Sequence, residues 1–277
     1  MSKRRPGRPS RAEPHLNLAE RHDAILARVS ELNFVDIGQL VKLLDVTPQT
    51  IRRDLRILEK SGRLARHHGG ITASESSTNN ISYTDRQAIR HVEKQRIAQA
   101  VAKIIPDGAS LFINVGTTTE AVAEALFRHQ RLHVITNNLN VATRLISRRG
   151  TEVTVAGGLV RNSDGAIIGE DAADFVNRFR VDYGVIGISA IDPVDGSLLD
   201  FDAREVRVAQ AIMRNSKNVV LVADHSKFGR DAMIRLGSLG GVEIFCTDRP
   251  PPEPIVALLA ERGVKLVIAS ALETDHR

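Results

Sequence analysis

In the first quarter of the chain, apolar residues recur at helical spacing. Ile25, Leu26, Val29 and Leu32 give a first helix one buried face, ending near Asn33, and Ile37, Leu40, Val41 and Leu44 give a second, capped by Asp36. Ile51, Leu55 and Leu58 mark a third helix over Thr47–Glu59, reached through the short turn Asp45-Val46. Thr47 suits the N-cap because its hydroxyl accepts a first-turn N–H. Pro48 suits the first helical position, where its missing N–H costs nothing. Two helices, a tight turn and a basic third helix predict a helix-turn-helix. The run R-L-A-R-H-H-G-G-I-T after Gly62 reads as a short β-hairpin, with Gly69-Gly70 at its turn or exit. Helix-turn-helix plus hairpin is a winged helix.

Residues 74–82, S-E-S-S-T-N-N-I-S, are polar and turn-rich and read as a linker. A long amphipathic helix is expected over Asp85–Ile105, closed by Pro106-Asp107-Gly108. Apolar runs beyond it predict strands at Leu111–Val115, His133–Thr136, Val153–Ala156, Tyr183–Ser189, Val219–Ala223, Val242–Thr247 and Lys265–Ile268. Helical patterns fall between them near Thr118–Arg128, Leu139–Ser147, Asp171–Arg178, Arg204–Asn215 and Pro254–Arg262. Such alternation implies an α/β fold with a mainly parallel sheet covered on both faces. The expected division is a basic tail over 1–17, a winged helix-turn-helix over 18–73, a linker over 74–84 and an α/β effector domain over 85–277.

Charge sharpens this division. Residues 1–73 hold 14 Lys+Arg against 8 Asp+Glu, whereas residues 74–277 hold 24 against 25. A basic small module on a near-neutral larger one is the footprint of nucleic-acid binding attached to another task. Gln49, Thr50, Arg52, Arg53 and Arg56, with the cap Thr47, fall on or beside the outer face of the third helix, where amides and guanidinium groups suit base edges and phosphates. Arg66, His67 and His68 of the hairpin are candidates for phosphate or minor-groove contact. The tail M-S-K-R-R-P-G-R-P-S-R-A-E-P-H has no apolar face and reads as a disordered, phosphate-binding arm, its K-R-R-P-G-R-P piece similar to a minor-groove hook.

Composition excludes several classes. Aromatics make up 4% of the chain and Trp is absent, which argues against stacked aromatic platforms for single strands. The lone Cys246 allows no intramolecular disulfide or multi-cysteine metal site, and its apolar run makes it a buried strand residue. The His67-His68 pair has no acidic neighbours, so neither a metal nor a cofactor is expected. No apolar run approaches the ~18 residues of a membrane span, and a cytoplasmic location is expected.

The chemistry lies at strand ends, where ligands bind in such sheets. The strand L-F-I-N-V runs into Gly116-Thr117-Thr118-Thr119 and then a helix. The glycine permits close backbone approach, the hydroxyls donate, and the helix N-terminus offers free N–H groups, a fit to a phosphate monoester. No Gly-Lys-Ser/Thr follows, so this is not a nucleotide P-loop. Other strand ends supply Asn137 and Asn138, the Gly157-Gly158 pair, Asp200, Asp202, Arg204 and Glu205, and finally Asp224, His225, Ser226 and Lys227. A phosphate cradle plus carboxylates and amides suits a phosphorylated polyol or sugar.

The runs V-T-P-Q-T-I-R-R-D-L, L-A-R-H-H-G-G, L-F-I-N-V-G-T-T, V-I-T-N-N-L-N-V-A, D-G-S-L-L-D-F-D-A-R-E-V-R and V-A-D-H-S-K-F-G-R carry a resemblance to the DeoR family of bacterial transcriptional regulators over residues 18–270. That resemblance implies a repressor of carbohydrate or glycerol genes that binds double-stranded operator DNA as a homodimer or homotetramer. It implies release by a small phosphorylated effector, glycerol 3-phosphate or a sugar phosphate, and an effector domain similar in fold to ribose-5-phosphate isomerase and the CoA transferases. The phosphate would sit on Gly116, Thr117, Thr118 and Thr119, with Asn137, Asn138, Asp202, Glu205 and Lys227 around the rest of the pocket. The family loop usually opens with Asp, and here Asn114 takes that place. The alternative is an isomerase-like enzyme using Glu205 or Asp202 as base, which requires a desolvated carboxylate ~2.6–3.2 Å from the proton it removes. A basic winged helix would then have no purpose, and a non-enzymatic role is expected.

Overall fold

A computed structural model describes residues 16–32, 34–61, 63–67, 70–73 and 83–269. The expected basic arm through residue 15, His68, the Gly69 turn and the linker over 74–82 lie outside the described residues. Helices α1 (Leu18–Leu32), α2 (Ile37–Leu44) and α3 (Pro48–Lys60) are followed by the hairpin β2 (Leu64–His67) and β3 (Gly70–Ala73). A two-residue strand, β1 (Phe34–Val35), between α1 and α2 pairs with β3, giving an antiparallel sheet of order β1-β3-β2. The caps expected from sequence form. The Asp36 carboxylate accepts from the Gln39 N–H and the Gln39 side chain accepts from the Asp36 N–H, a capping box. Thr47 accepts from the Thr50 N–H. Asp45, at a left-handed φ of 48°, turns the chain between α2 and α3.

Ile25, Val29, Leu40, Ile51, Leu55, Leu58, Leu64 and Ile71 close a core beneath these helices. Asp54 stands in it at the i+3 position from Ile51, only 1% exposed. Arg21 of α1 forks onto this carboxylate, Nε to Oδ2 at 2.5 Å and Nη2 to Oδ1 at 3.1 Å. The basic helix α3 is thereby pinned from its inner side by an ion pair as well as by apolar packing.

Beyond residue 82, two helices stand where one was expected: α4 (Tyr83–Ala88) and α5 (His91–Ala102). Arg90 adopts a left-handed φ of 57° and breaks the helix. The buried Lys94 ammonium donates to the carbonyls of Arg86 and Ile89, satisfying groups that the end of α4 leaves open. The chain continues through β4 (Ser110–Ile113), α6 (Thr117–Ala125), β5 (Leu132–Thr136), α7 (Leu139–Leu145), β6 (Thr151–Val155), β7 (Leu159–Arg161), β8 (Ala166–Ile168) and α8 (Glu170–Val176). It ends with β9 (Val181–Ile186), β10 (Ala190–Ile191), β11 (Ser197–Asp200), α9 (Ala203–Arg214), β12 (Ser216–Val222), β13 (Ile234–Ser238), β14 (Ile244–Thr247), α10 (Glu253–Arg262) and β15 (Lys265–Ile268).

Seven strands form one sheet of order β15-β14-β12-β9-β4-β5-β6, all parallel. Strand alternation sorts its side chains to two cores. Phe112, Ile135, Ile186, Val219, Leu221 and Phe245 face α8, α9 and α10, while Leu111, Ile113, Val134, Val185, Val220 and Cys246 face α5, α6 and α7. Burial raises the Cys246 thiol to about 12, so it stays protonated and serves as packing. The expected strand over Tyr183–Ser189 stops at Ile186, and Ala190–Ile191 joins a separate antiparallel sheet of order β10-β11-β13. That sheet and the β7–β8 hairpin were not predicted, because their short strands show no alternation long enough to register.

The topology creates one distinctive place. From central β4 the chain winds outward through β5 and β6, then returns to lay β9 on the opposite flank of β4 and winds the other way through β12, β14 and β15. The carboxyl ends of β4 and β9 therefore diverge, and such a crevice is where ligands bind in doubly wound sheets. Phe245 is fully buried at the centre of the core that α9 and α10 cover. Phe245→Ala is expected to lower unfolding free energy by about 3–5 kcal/mol, read from the urea midpoint of the full chain.

Candidate nucleic-acid interface and anion pocket

On α3 the packing leaves a polar face outward. Ile51, Leu55 and Leu58 are buried, whereas Gln49, Arg52, Arg53 and Arg56 are exposed. Thr50 is half-buried, its hydroxyl 3.0 Å from that of Thr47, so both threonines serve the cap at the same time. Of the hairpin candidates, Arg66 and His67 lie on β2, and His68 falls outside the described residues. A helix held from behind, with one amide and three guanidinium groups outward, has the donors and charge for a major groove.

The crevice between β4 and β9 holds a small pocket. Its floor is Val115 and Gly116 after β4 and Gly187, Ile188 and Ser189 after β9. Thr117 and Thr118 open α6 at its side, so the amides that any helix start leaves unpaired lie at the pocket. Gly116 has a φ of 135°, which a side chain rarely allows. Lys227 and Arg86 bring positive charge to this pocket, and Asp200 and Glu205 bring carboxyl groups.

Neighbouring groups position Lys227, Glu205 and Asp200. Lys227 sits on a single 3-10 turn, His225–Lys227, capped by the Asp224 carboxylate on the Ser226 N–H. Buried Asp248 holds the same turn by accepting from the His225 N–H and bonding its ring Nδ1, both at 2.7 Å. Burial lowers the Lys227 ammonium to about 8. Glu205 is raised to about 7, mainly by burial and then by Asp200, against the pull of Arg161, whose Nη2 lies 2.7 Å away. Asp200 is also raised by burial while accepting from Ser189 Oγ at 3.1 Å and the Phe201 N–H at 2.7 Å. Cations and carboxyl groups thus share one pocket, a bipolar arrangement suited to an anion joined to hydroxyl groups.

Of the residues expected around the ligand, Gly116, Thr117, Thr118, Glu205 and Lys227 come together here. The others do not line this pocket, each for a visible reason. The Thr119 hydroxyl donates to the carbonyls of Asn114 (2.7 Å) and Gly116 (2.8 Å), closing the loop on itself. Asn137 is buried and donates to the Ile167 carbonyl at 3.1 Å. Asn138 caps α7 and donates to Glu120. Asp202 caps α9 and pairs with Arg161 and Arg204. Gly157 and Gly158 are exposed between β6 and β7. Asn114 is also buried, and its Oδ1 has no hydrogen-bond partner among the described residues.

Sequence reasoning missed Arg86, Ser189 and Arg161. Arg86 lay in what read as one long helix, Ser189 in what read as a strand, and Arg161 in a stretch assigned no element. Asp200 was noted among the loop residues but not assigned to the ligand. No spacing signal joins these positions, because separate loops bring them together.

A family model described as the DeoR-like helix-turn-helix domain matches residues 21–77, and one described as the DeoR C terminal sensor domain matches residues 89–249. The chain is 48% identical over 247 residues to the glycerol-3-phosphate regulon repressor of Escherichia coli (strain K12), covering 89% of this chain and 97% of that protein. It is 50% identical over 250 residues to the glycerol-3-phosphate regulon repressor of Haemophilus influenzae, covering 90% and 96%. It is 41% identical over 248 residues to the HTH-type transcriptional repressor CsqR of Escherichia coli, covering 90% and 94%. Among solved structures, ribose 5 phosphate isomerase A from Neisseria gonorrhoeae is similar at a TM-score of 0.36 and 14% identity over 49% of this chain and 52% of that one, too distant to carry mechanism. These three relatives, each matched over more than nine-tenths of its length, are named repressors, not enzymes. The chain belongs to the DeoR family of helix-turn-helix transcriptional regulators.

Proposed function

We propose that this protein represses genes of glycerol or carbohydrate metabolism in the cytoplasm and leaves its operator when glycerol 3-phosphate or a related sugar phosphate enters the β4–β9 crevice. The bipolar pocket, in a chain 48–50% identical to glycerol-3-phosphate regulon repressors, carries this reading. The phosphate lies on Gly116, the opening amides and hydroxyls of Thr117 and Thr118, and Lys227, while Glu205 and Asp200 take the hydroxyl groups. A dimer or tetramer presents paired α3 helices to half-sites roughly 34 Å apart or multiples of it, so a modest rotation between copies spoils the fit. A coupling of ~1–3 kcal/mol changes operator affinity by about five- to 150-fold.

Three measurements test this reading. Thermal-shift titration with small phosphate esters should raise the melting temperature, and an ester at a hundred times its Kd should stabilise the protein by about 2.7 kcal/mol. Glycerol alone should not do so, and Lys227→Met or Thr118→Val should abolish the shift. If no phosphate ester shifts the wild-type protein or weakens its operator complex in an anisotropy titration, the pocket is not the sensor.

Binding should also depend on pH. As pH rises through about 7, Glu205 gains negative charge, and through about 8 Lys227 loses positive charge, so both changes oppose an anion. The ester's own second ionisation near ~6 acts the other way at lower pH. Affinity should therefore peak near neutrality and fall above pH 8, which calorimetry across this range reads. For DNA, Arg53→Ala should cost ~1–3 kcal/mol and relax base preference if that guanidinium reads a guanine. Uniform weakening on all sequences would assign it to phosphate.

A further inference from the structure

This inference rests on the reading of the crevice as a phosphate-ester site and adds to it a residue on a helix outside the sheet. Arg86 lies on α4, the first described element after β3, with residues 74–82 between it and the wing in sequence. It shares the pocket with Gly116, Thr117, Thr118 and Lys227. Its side chain is 18% exposed, and its Nε is buried with no hydrogen-bond partner among the described residues. Its ion pair with Asp164 is long, at 3.5 Å, and Asp164 already accepts from Arg161 at 2.9 and 2.7 Å. The guanidinium also lies 5.9 Å from the centre of the Tyr83 ring on its own helix. It is thus a planar five-donor group at an anion pocket with donors to spare, and such a fork matches phosphate oxygens two at a time.

The surroundings sharpen this point. Arg86 and Lys227 are like charges facing one pocket, and the field of Arg86 is among the causes that depress the Lys227 ammonium. A dianion between them removes that repulsion. The helix itself is held by other residues: the Tyr83 hydroxyl donates to Glu120 at 2.8 Å, the Asn140 amide donates to Tyr83 at 2.9 Å, and Lys94 donates to the Arg86 and Ile89 carbonyls. The docking of α4 on α6 therefore does not need the Arg86 side chain, which leaves that side chain available to a ligand.

We propose that Arg86 is a second cationic ligand of the effector's phosphate, and that its capture couples pocket occupancy to α4 and so to the chain leading from the DNA-binding module. The phosphate settles on the α6 amides and Lys227 from the sheet side and on Arg86 from the α4 side. Occupancy of the pocket then holds α4, the element at which the chain from the wing arrives.

The test uses the full-length chain, titrated with glycerol 3-phosphate and with inorganic phosphate by calorimetry, and with operator DNA by anisotropy. Arg86→Gln should weaken binding of both anions at least tenfold, and Arg86→Lys should recover part of the loss because charge returns without the fork. Melting temperature and operator affinity without ligand should stay at wild-type values. Operator release by the ester should remain incomplete in Arg86→Gln even at saturating ester. If Arg86→Gln binds both anions as wild type does while Lys227→Met does not, Arg86 is no ligand and the pocket reading stands. If the wild-type chain binds neither anion, the pocket reading and the Arg86 assignment fall together. Weaker binding with full release at saturating ester would keep the ligand and overturn the coupling through α4. If Arg86→Gln does not fold, Arg86→Lys decides: unchanged affinity for both anions overturns the assignment.

Discussion

The reversal of winding between β4 and β9 is the constraint on which the sensor half depends. Adjacent parallel strands whose connections leave in opposite directions cannot both have their carboxyl ends covered by the same helix. A crevice therefore opens between them, and the loops after β4 and β9 become its walls. Much of the pocket is placed by that divergence: the α6 start from one strand, the Gly187–Ser189 turn from the other, and Lys227 from the loop after neighbouring β12. The two apolar cores on either face keep the strands in register, so the crevice has a fixed width and little freedom to collapse.

Beside this crevice, one guanidinium gathers several carboxylates. Arg161, from the β7–β8 hairpin, reaches Asp164, Asp202 and Glu205 together, with its own ionisation strengthened by them. Buried carboxylates are costly unless paired, and this fork compensates three without itself lining the pocket. Glu205 nonetheless stays near neutrality in its proton affinity, because burial and Asp200 work against Arg161. A carboxyl group poised in this way can accept or donate to a hydroxyl group, which suits recognition of a polyol as well as it would suit proton transfer. The identity of the relatives, rather than the geometry, separates regulation from catalysis here.

The DNA-binding half uses the opposite economy. Its recognition helix shows arginines to solvent on one side and buries a carboxylate on the other, where Asp54 accepts the fork from Arg21. A helix carrying that much positive charge gains from a buried negative partner, and the pair also fixes the angle between α1 and α3. Apolar packing alone would tolerate some slippage between these helices, whereas a two-point hydrogen-bonded fork does not.

Local features were legible in the sequence because they are local. Thr47, Pro48 and Asp36 act through bonds spanning three residues, and the helical and strand periodicities concern faces of single elements, so the winged helix-turn-helix, the seven parallel strands and the glycine turn from β4 into α6 could be read without a structure. The errors lie where that locality ends. The helix over Asp85–Ile105 broke because a distant-looking Lys94 satisfies the carbonyls at the end of α4 and Arg90 takes the left-handed turn. Asn137, Asn138 and Asp202 read as ligand donors, yet Ile167, Glu120 and Arg161, all remote in sequence, claim their hydrogen-bonding groups. Arg86 and Ser189 reached the pocket with no motif to announce them. The sequence by itself determined most of the helices and the strands of the parallel sheet, which face of each is apolar and where a glycine turn leads from β4 into a helix. Only the tertiary structure decided which polar side chains remain available to a ligand, because that depends on partners brought together by strand order rather than by proximity along the chain.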